Sequence, residues 1–99
     1  MDVIVSDAAW SDMRRIGLAI AKDSRNRAAG FVEELYDRCR ELSDMAYAFP
    51  LLADRGESGV RRRVYGRYLI FYRVDDETVQ ILHILHGAMD YEAILFPEG

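Results

Sequence analysis

Beyond a short β-branched run at its start, the hydrophobic period of this chain changes near residue 50, and that change restricts the fold more than any other feature. Before it, apolar side chains recur at three- and four-residue spacing; after Gly59 they fall in short β-branched and aromatic runs separated by turns. Helices followed by strands within 99 residues describe one α+β domain spanning 1–99, since two hydrophobic cores need more chain than this.

Val3-Ile4-Val5 reads as a strand, and Ser6 or Asp7 is placed to cap the helix after it. Trp10, Met13, Ile16, Leu18 and Ile20 form the apolar side of a helix over Ala8–Lys22, with Asp12, Arg14 and Arg15 on the polar side. Asp23-Ser24-Arg25-Asn26 is a turn. Ala28, Phe31, Val32, Leu35, Cys39, Leu42 and Met45 then hold helical spacing over nearly five turns, so a helical hairpin is expected. Residues 53–59 have loop composition, and Val60–Tyr65, Tyr68–Val74 and Glu77–His86 read as an antiparallel three-stranded meander. Val79-Gln80-Ile81-Leu82-His83-Ile84-Leu85 is apolar on both parities, as a central strand covered on both faces, or one packed against a partner, would be. The expected order is an N-terminal strand, the helical hairpin, and the meander in a twisted sheet.

Composition removes several function classes. One cysteine, Cys39, forms no internal disulfide, and on the apolar stripe it is read as a buried core residue. His83 and His86 are an odd number of positions apart on one strand and so face opposite ways, which leaves no metal site; no cofactor is expected. A net charge of −4 argues against coating nucleic acid by charge alone. No apolar run approaches the ~20 residues of a membrane span, and the N-terminus lacks a signal-peptide pattern, so a cytoplasmic protein without membrane contact is expected. Charge is nonetheless segregated: residues 58–74 carry five arginines and no acid, while 75–99 carry six acids and no base.

Two segments, Gly59-Val60-Arg61-Arg62-Arg63-Val64-Tyr65-Gly66-Arg67-Tyr68-Leu69-Ile70-Phe71-Tyr72-Arg73-Val74 and Val79-Gln80-Ile81-Leu82-His83-Ile84-Leu85-His86-Gly87, resemble the RelE/ParE superfamily of type II toxins. An arginine strand, a Gly-x-Tyr-x-x-x-Tyr-Arg-Val hairpin and a final His-Gly strand end follow a helical hairpin in that superfamily. The ending His86-Gly87-Ala88-Met89-Asp90-Tyr91 is similar to the ParE ending His-Gly-x-x-Asp, with Ala88 and Met89 where arginines are frequent. RelE-type members cleave mRNA on the ribosome with lysines, arginines and a tail tyrosine. Here the only lysine is Lys22, and Leu95 stands where the tyrosine belongs.

Resemblance to ParE implies a non-enzymatic toxin that inhibits DNA gyrase and is neutralised by a ParD-like antitoxin in a hetero-oligomer, touching operator DNA only through that antitoxin. The alternatives are a RelE-like endonuclease using Arg61, Arg73 and His86, and an inactive co-repressor module. The residues expected to face partners are Arg61, Arg63, Tyr68, Tyr72, Arg73, His86, Asp90 and Tyr91. All but Arg73 have a plainer role to set beside this. Arg61 and Arg63 would protect an edge strand; Tyr68 and Tyr72 would form a core ladder; His86 would be satisfied at a strand end; and Asp90 and Tyr91 would fold the tail back over the sheet. The hydrophobic surplus is expected to serve an antitoxin segment along the helices' outer stripe or at an open sheet edge.

Overall fold

A computed structural model describes residues 1–98. Along the chain run β1 (Asp2–Val5), α1 (Asp7–Ala21), α2 (Arg25–Glu41), β2 (Arg61–Tyr65), β3 (Tyr68–Asp75), β4 (Thr78–His86) and α3 (Tyr91–Leu95), with one short 3-10 turn at Gly56–Ser58. This is the α+β order expected from the sequence. Each long helix starts on a serine whose hydroxyl accepts a free backbone N–H: Ser6 from Ala9 at 3.0 Å and Ser24 from Arg27 at 3.2 Å.

The strands form one sheet in the order β1-β4-β3-β2, in which β1 lies parallel to β4 and the other pairings are antiparallel. Strand β4 is therefore internal, which its double-sided apolar pattern requires. A register shift opposite Phe71 and Tyr72, which pair with His83 and Ile81, leaves Leu82 as the extra residue of a β-bulge. The bulge exchanges the faces: Val79 and Ile81 before it and Ile84 after it all enter the helix-side core.

That core packs Met13, Ile16, Leu35, Cys39 and Leu42 against Ile70, Tyr72, Val79, Ile81 and Ile84. The opposite face is smaller, with Leu52, Val60, Leu69, Phe71 and Leu85 beneath Tyr91, Leu95 and Phe96 of the tail. Helices α1 and α2 approach closely at Gly17, where an added Cβ would lie 3.0 Å from Val32 Cγ2. No helix among the described residues is long and apolar enough to cross a membrane, and no group of three or more His, Cys, Asp or Glu is gathered for a metal.

Three local expectations are corrected. Helix α2 ends at Glu41, so Met45 is exposed outside it, and Ala46 takes the buried place, its carbonyl accepting the Tyr72 hydroxyl at 2.8 Å. Trp10 and Leu18 are not core: they are 48% and 60% exposed, because the buried stripe of α1 runs through Ala9, Asp12, Met13 and Ile16. Asp12, placed on the polar side by charge alone, is 3% exposed.

Candidate partner-binding surface

Strand β2 lies at the sheet edge, and its alternation sends Arg61, Arg63 and Tyr65 towards the helical layer and Arg62 and Val64 outward. The inward trio fastens the strand. Arg61 Nη1 donates to the Phe49 carbonyl at 2.7 Å, with its guanidinium 5.2 Å from the Tyr47 ring centre. Arg63 donates to the Arg38 carbonyl at 2.9 Å, pairs with Glu41 at 2.9 Å and lies 4.9 Å from the Phe49 ring centre. Tyr65 donates its hydroxyl to Glu34 of α2. The hydrogen bond from Arg63, opposed in part by desolvation and aided by the charges of Arg38 and Arg63, holds the Glu41 carboxyl below its ordinary range. Acceptance by Glu34, with desolvation, raises the Tyr65 phenol.

The outer edge of β2 is half covered. Arg62 N–H donates to the Pro50 carbonyl at 3.1 Å and Leu52 N–H to the Val60 carbonyl at 2.9 Å, so segment 50–52 occupies the first part. Beyond it Val64 is 60% exposed. In a two-residue hairpin closed by Tyr65 and Tyr68, the intervening even residues of β2 turn their backbone groups away from β3, so Val64 offers an open strand edge. On the helical layer the exposed Trp10 stacks at 5.4 Å on Tyr36, which is itself partly buried against the core, and Arg40 lies 5.5 Å from the Tyr36 ring centre; Leu18 stands apart, beside Arg14 and Lys22.

The remaining sequence candidates are dispersed. Tyr72 is fully buried, so no partner reaches it on this surface; burial raises its phenol, against the lowering effects of Arg61, a backbone hydrogen bond and Arg63. Tyr68 is half-buried, its ring 5.4 Å from Phe31 and 5.3 Å edge-on to His86. His86 Nδ1 accepts from the Ala88 N–H at 3.0 Å. Asp90 caps α3 by accepting from Ala93 N–H at 3.3 Å, and Tyr91 packs on Phe71 with centroids 5.1 Å apart, so both fold the tail over the sheet. Arg73 Nε donates to Asp75 at 3.1 Å. Arg61, Arg73 and His86 do not converge. His86 pairs with Tyr68, Arg73 lies five residues further along β3, about 17 Å away at ~3.4 Å per residue, and Arg61 is on the helical side.

Sequence reasoning missed one group. Asp12 accepts from the Ile84 N–H at 2.8 Å, bonds His83 Nδ1 at 2.8 Å and pairs with Arg15 at 2.7 Å. Ser6 Oγ donates to the Leu82 carbonyl at 2.9 Å, so the start of α1 takes over the edge of β4 where β1 ends. The signal was present in the spacing 9, 12, 13, 16, in which an aspartate occupies the i+3 place of a buried stripe.

The chain of the chromosomal ParDE toxin–antitoxin system from P. aeruginosa is similar in fold, with a TM-score of 0.75 at 19% identity, covering 87% of this chain and 95% of that one. A chain of the toxin–antitoxin complex RelBE2 from Mycobacterium tuberculosis is similar at a TM-score of 0.53 and 28% identity, covering 86% and 95%. No curated protein matches at a significant level. The family model described as the ParE toxin of the type II toxin-antitoxin system parDE matches residues 3–91. With that match spanning most of β1, both long helices, strands β2 to β4 and the start of the tail, the chain belongs to the ParE family of type II toxins.

Proposed function

We propose that this toxin acts by binding DNA gyrase and that a ParD-like antitoxin silences it by covering the helical hairpin and the open edge of the sheet. The family supports the toxin role, and the solved ParDE and RelBE2 assemblies of similar chains support an antitoxin partner. One observation carries the choice of binding over catalysis: the central sheet face opposite the helices is filled by Leu69, Phe71 and Leu85 under Tyr91 and Phe96. Phosphodiester cleavage needs a proton acceptor and cationic stabilisation of developing charge within reach of one atom. Separation of Arg61, Arg73 and His86 favours a toxin that works by trapping a state of its target. The exposed Trp10, stacked on Tyr36, and the open backbone at Val64 suit a partner that packs a helix and adds a strand. Operator DNA would then be reached through the antitoxin.

Purified gyrase, relaxed plasmid and ATP, with the toxin and with or without antitoxin, provide the test. Loss of supercoiling or accumulation of cleaved plasmid, reversed by antitoxin, is the expected result. Undisturbed supercoiling with a folded, antitoxin-competent chain would remove gyrase as the direct target and turn attention to ribosome-bound mRNA.

A further inference from the structure

Between the start of α1, the β4 bulge and the tail lies a cavity of about 470 Å³, within the ~300–1,000 Å³ range of small-molecule sites. Its lining is mostly apolar, including Val60, Leu82, Leu95 and Phe96, and contains no acidic residue. Four polar side chains line it: Ser6, Ser58, Arg73 and His83. The serine hydroxyls are spent on the Leu82 and Arg55 carbonyls at 2.9 and 2.6 Å. Arg73 and His83 are only half committed. Arg73 bonds Asp75 through Nε, and His83 bonds Asp12 through Nδ1; among the described residues, Arg73 Nη1 and Nη2 and His83 Nε2 have no hydrogen-bond partner.

Both groups are held from behind. Asp12 is itself locked by Ile84 N–H and Arg15, so the imidazole has a fixed anchor. Gly59 has φ of 73°, a left-handed conformation that favours glycine, and the Arg73 stem runs alongside it, Cγ and Cδ lying 3.4 Å from where a Cβ would stand, at ordinary contact distance. In register, Phe71 pairs with His83 and Arg73 follows two residues later on the same face, which makes the arginine a diagonal neighbour of the histidine.

We propose that this cavity is a binding site for a small monocarboxylate with an aliphatic body, its carboxylate held between Arg73 and His83 and its body against Leu82, Leu95 and Phe96. The planar guanidinium matches a carboxylate through two parallel N–H groups. A monoanion fits better than a dianion because the Asp75 carboxylate behind Arg73 and the Asp12 carboxylate behind His83 lower the positive potential of the recess. A protein segment is disfavoured, since specific protein contacts bury ~800 Å² per partner and this recess is walled by the tail. Nε2 of a neutral ring in this tautomer accepts, so a bound carboxylate and His83 share one added proton, and affinity falls as pH rises. The charged groups facing the ring are Asp12 with Arg15 from α1 and Arg73 with Asp75 from β3; the tail side contributes the uncharged Ile94, Leu95 and Phe96.

Calorimetric titration of the full chain with octanoate, across pH 5.5 to 8.5, tests the site. One saturable site is expected, weakened at least tenfold by Arg73→Gln and by Ala8→Leu, which narrows the cavity from α1 without removing a polar group. His83→Gln should abolish the pH dependence, and octan-1-ol should bind at least tenfold more weakly than octanoate. No saturable heat, or equal affinity in Arg73→Gln and His83→Gln variants with unaltered thermal melts, would overturn the proposal. Tighter binding of octyl phosphate than of octanoate would overturn the monoanion preference. If either polar variant fails to fold, Ala8→Leu still decides, because full octanoate binding in that folded variant would place the ligand elsewhere.

Discussion

Asp12 carries more structural weight than its charge suggests. Its carboxylate supplies the acceptor that Ile84 N–H would otherwise lack at the bulge, and it joins α1 to β4 through His83. A buried donor left without a partner costs ~1–3 kcal/mol. Asp12→Ala is therefore expected to destabilise the fold by about 2 kcal/mol, measured by urea denaturation, whereas an unchanged midpoint would mean that water or a shifted strand replaces the carboxylate. Cys39 illustrates the opposite case: its sequence position on the apolar stripe already defined it, and burial pushes its thiol up to about 12, against a lesser opposing effect of Arg63.

Among the elements, the two hairpins solve the same turn problem differently. The β2–β3 turn places Gly66 at φ of 60°, where glycine has no steric penalty. The β3–β4 turn holds Asp76 and Glu77 at φ of 45° and 62°, the double left-handed pattern of a tight hairpin turn. A left-handed conformation costs a residue with a Cβ ~1–2 kcal/mol, so Glu77→Gly should raise stability by roughly 1 kcal/mol. A thermal melt showing no gain would indicate that the glutamate has a compensating contact. Strand β2 shows why a pattern of arginines is ambiguous. Arg61 and Arg63 do sit on an edge strand, yet they point inward and brace the loop and α2 through carbonyls, rings and Glu41. A loss of toxicity in either would have to be separated from this bracing by a melt.

For the whole molecule, the helix-side core links stability to alkaline pH. Between pH 9.0 and about 12 the unfolded chain loses the Cys39 proton while the folded chain keeps it. The raised Tyr72 phenol, starting from 10.0, acts in the same direction. Their contribution is complete below pH 9 and is lost as pH rises above it. Glu41 has the opposite sign: its lowered value contributes above 4.5 and is lost as pH falls through the folded value, weakly because the group is exposed to solvent and salt. Denaturant midpoints should hold level between about pH 5 and 9 and decline above; a level profile to pH 11 would contradict the burial of these groups.

The fold was legible because period and turn chemistry are local: helical spacing to residue 42, Gly66-Arg67 and the strand runs each declare themselves within a few residues. The surface was less so. Trp10 and Leu18 look like core by hydropathy, and Asp12 looks like surface by charge, because a single sequence does not say which neighbour each helix face meets. From the sequence alone came the order of elements, the helical hairpin, the meander, the internal place of β4 and the buried thiol. Tertiary structure alone decided that β1 pairs parallel to β4, that a bulge at Leu82 reverses the faces of that strand, and that the tail covers the second side of the sheet. It also decided which polar groups meet. Asp12 and His83 are 71 residues apart, and only packing α1 along the edge left open beyond β1 brings them to 2.8 Å.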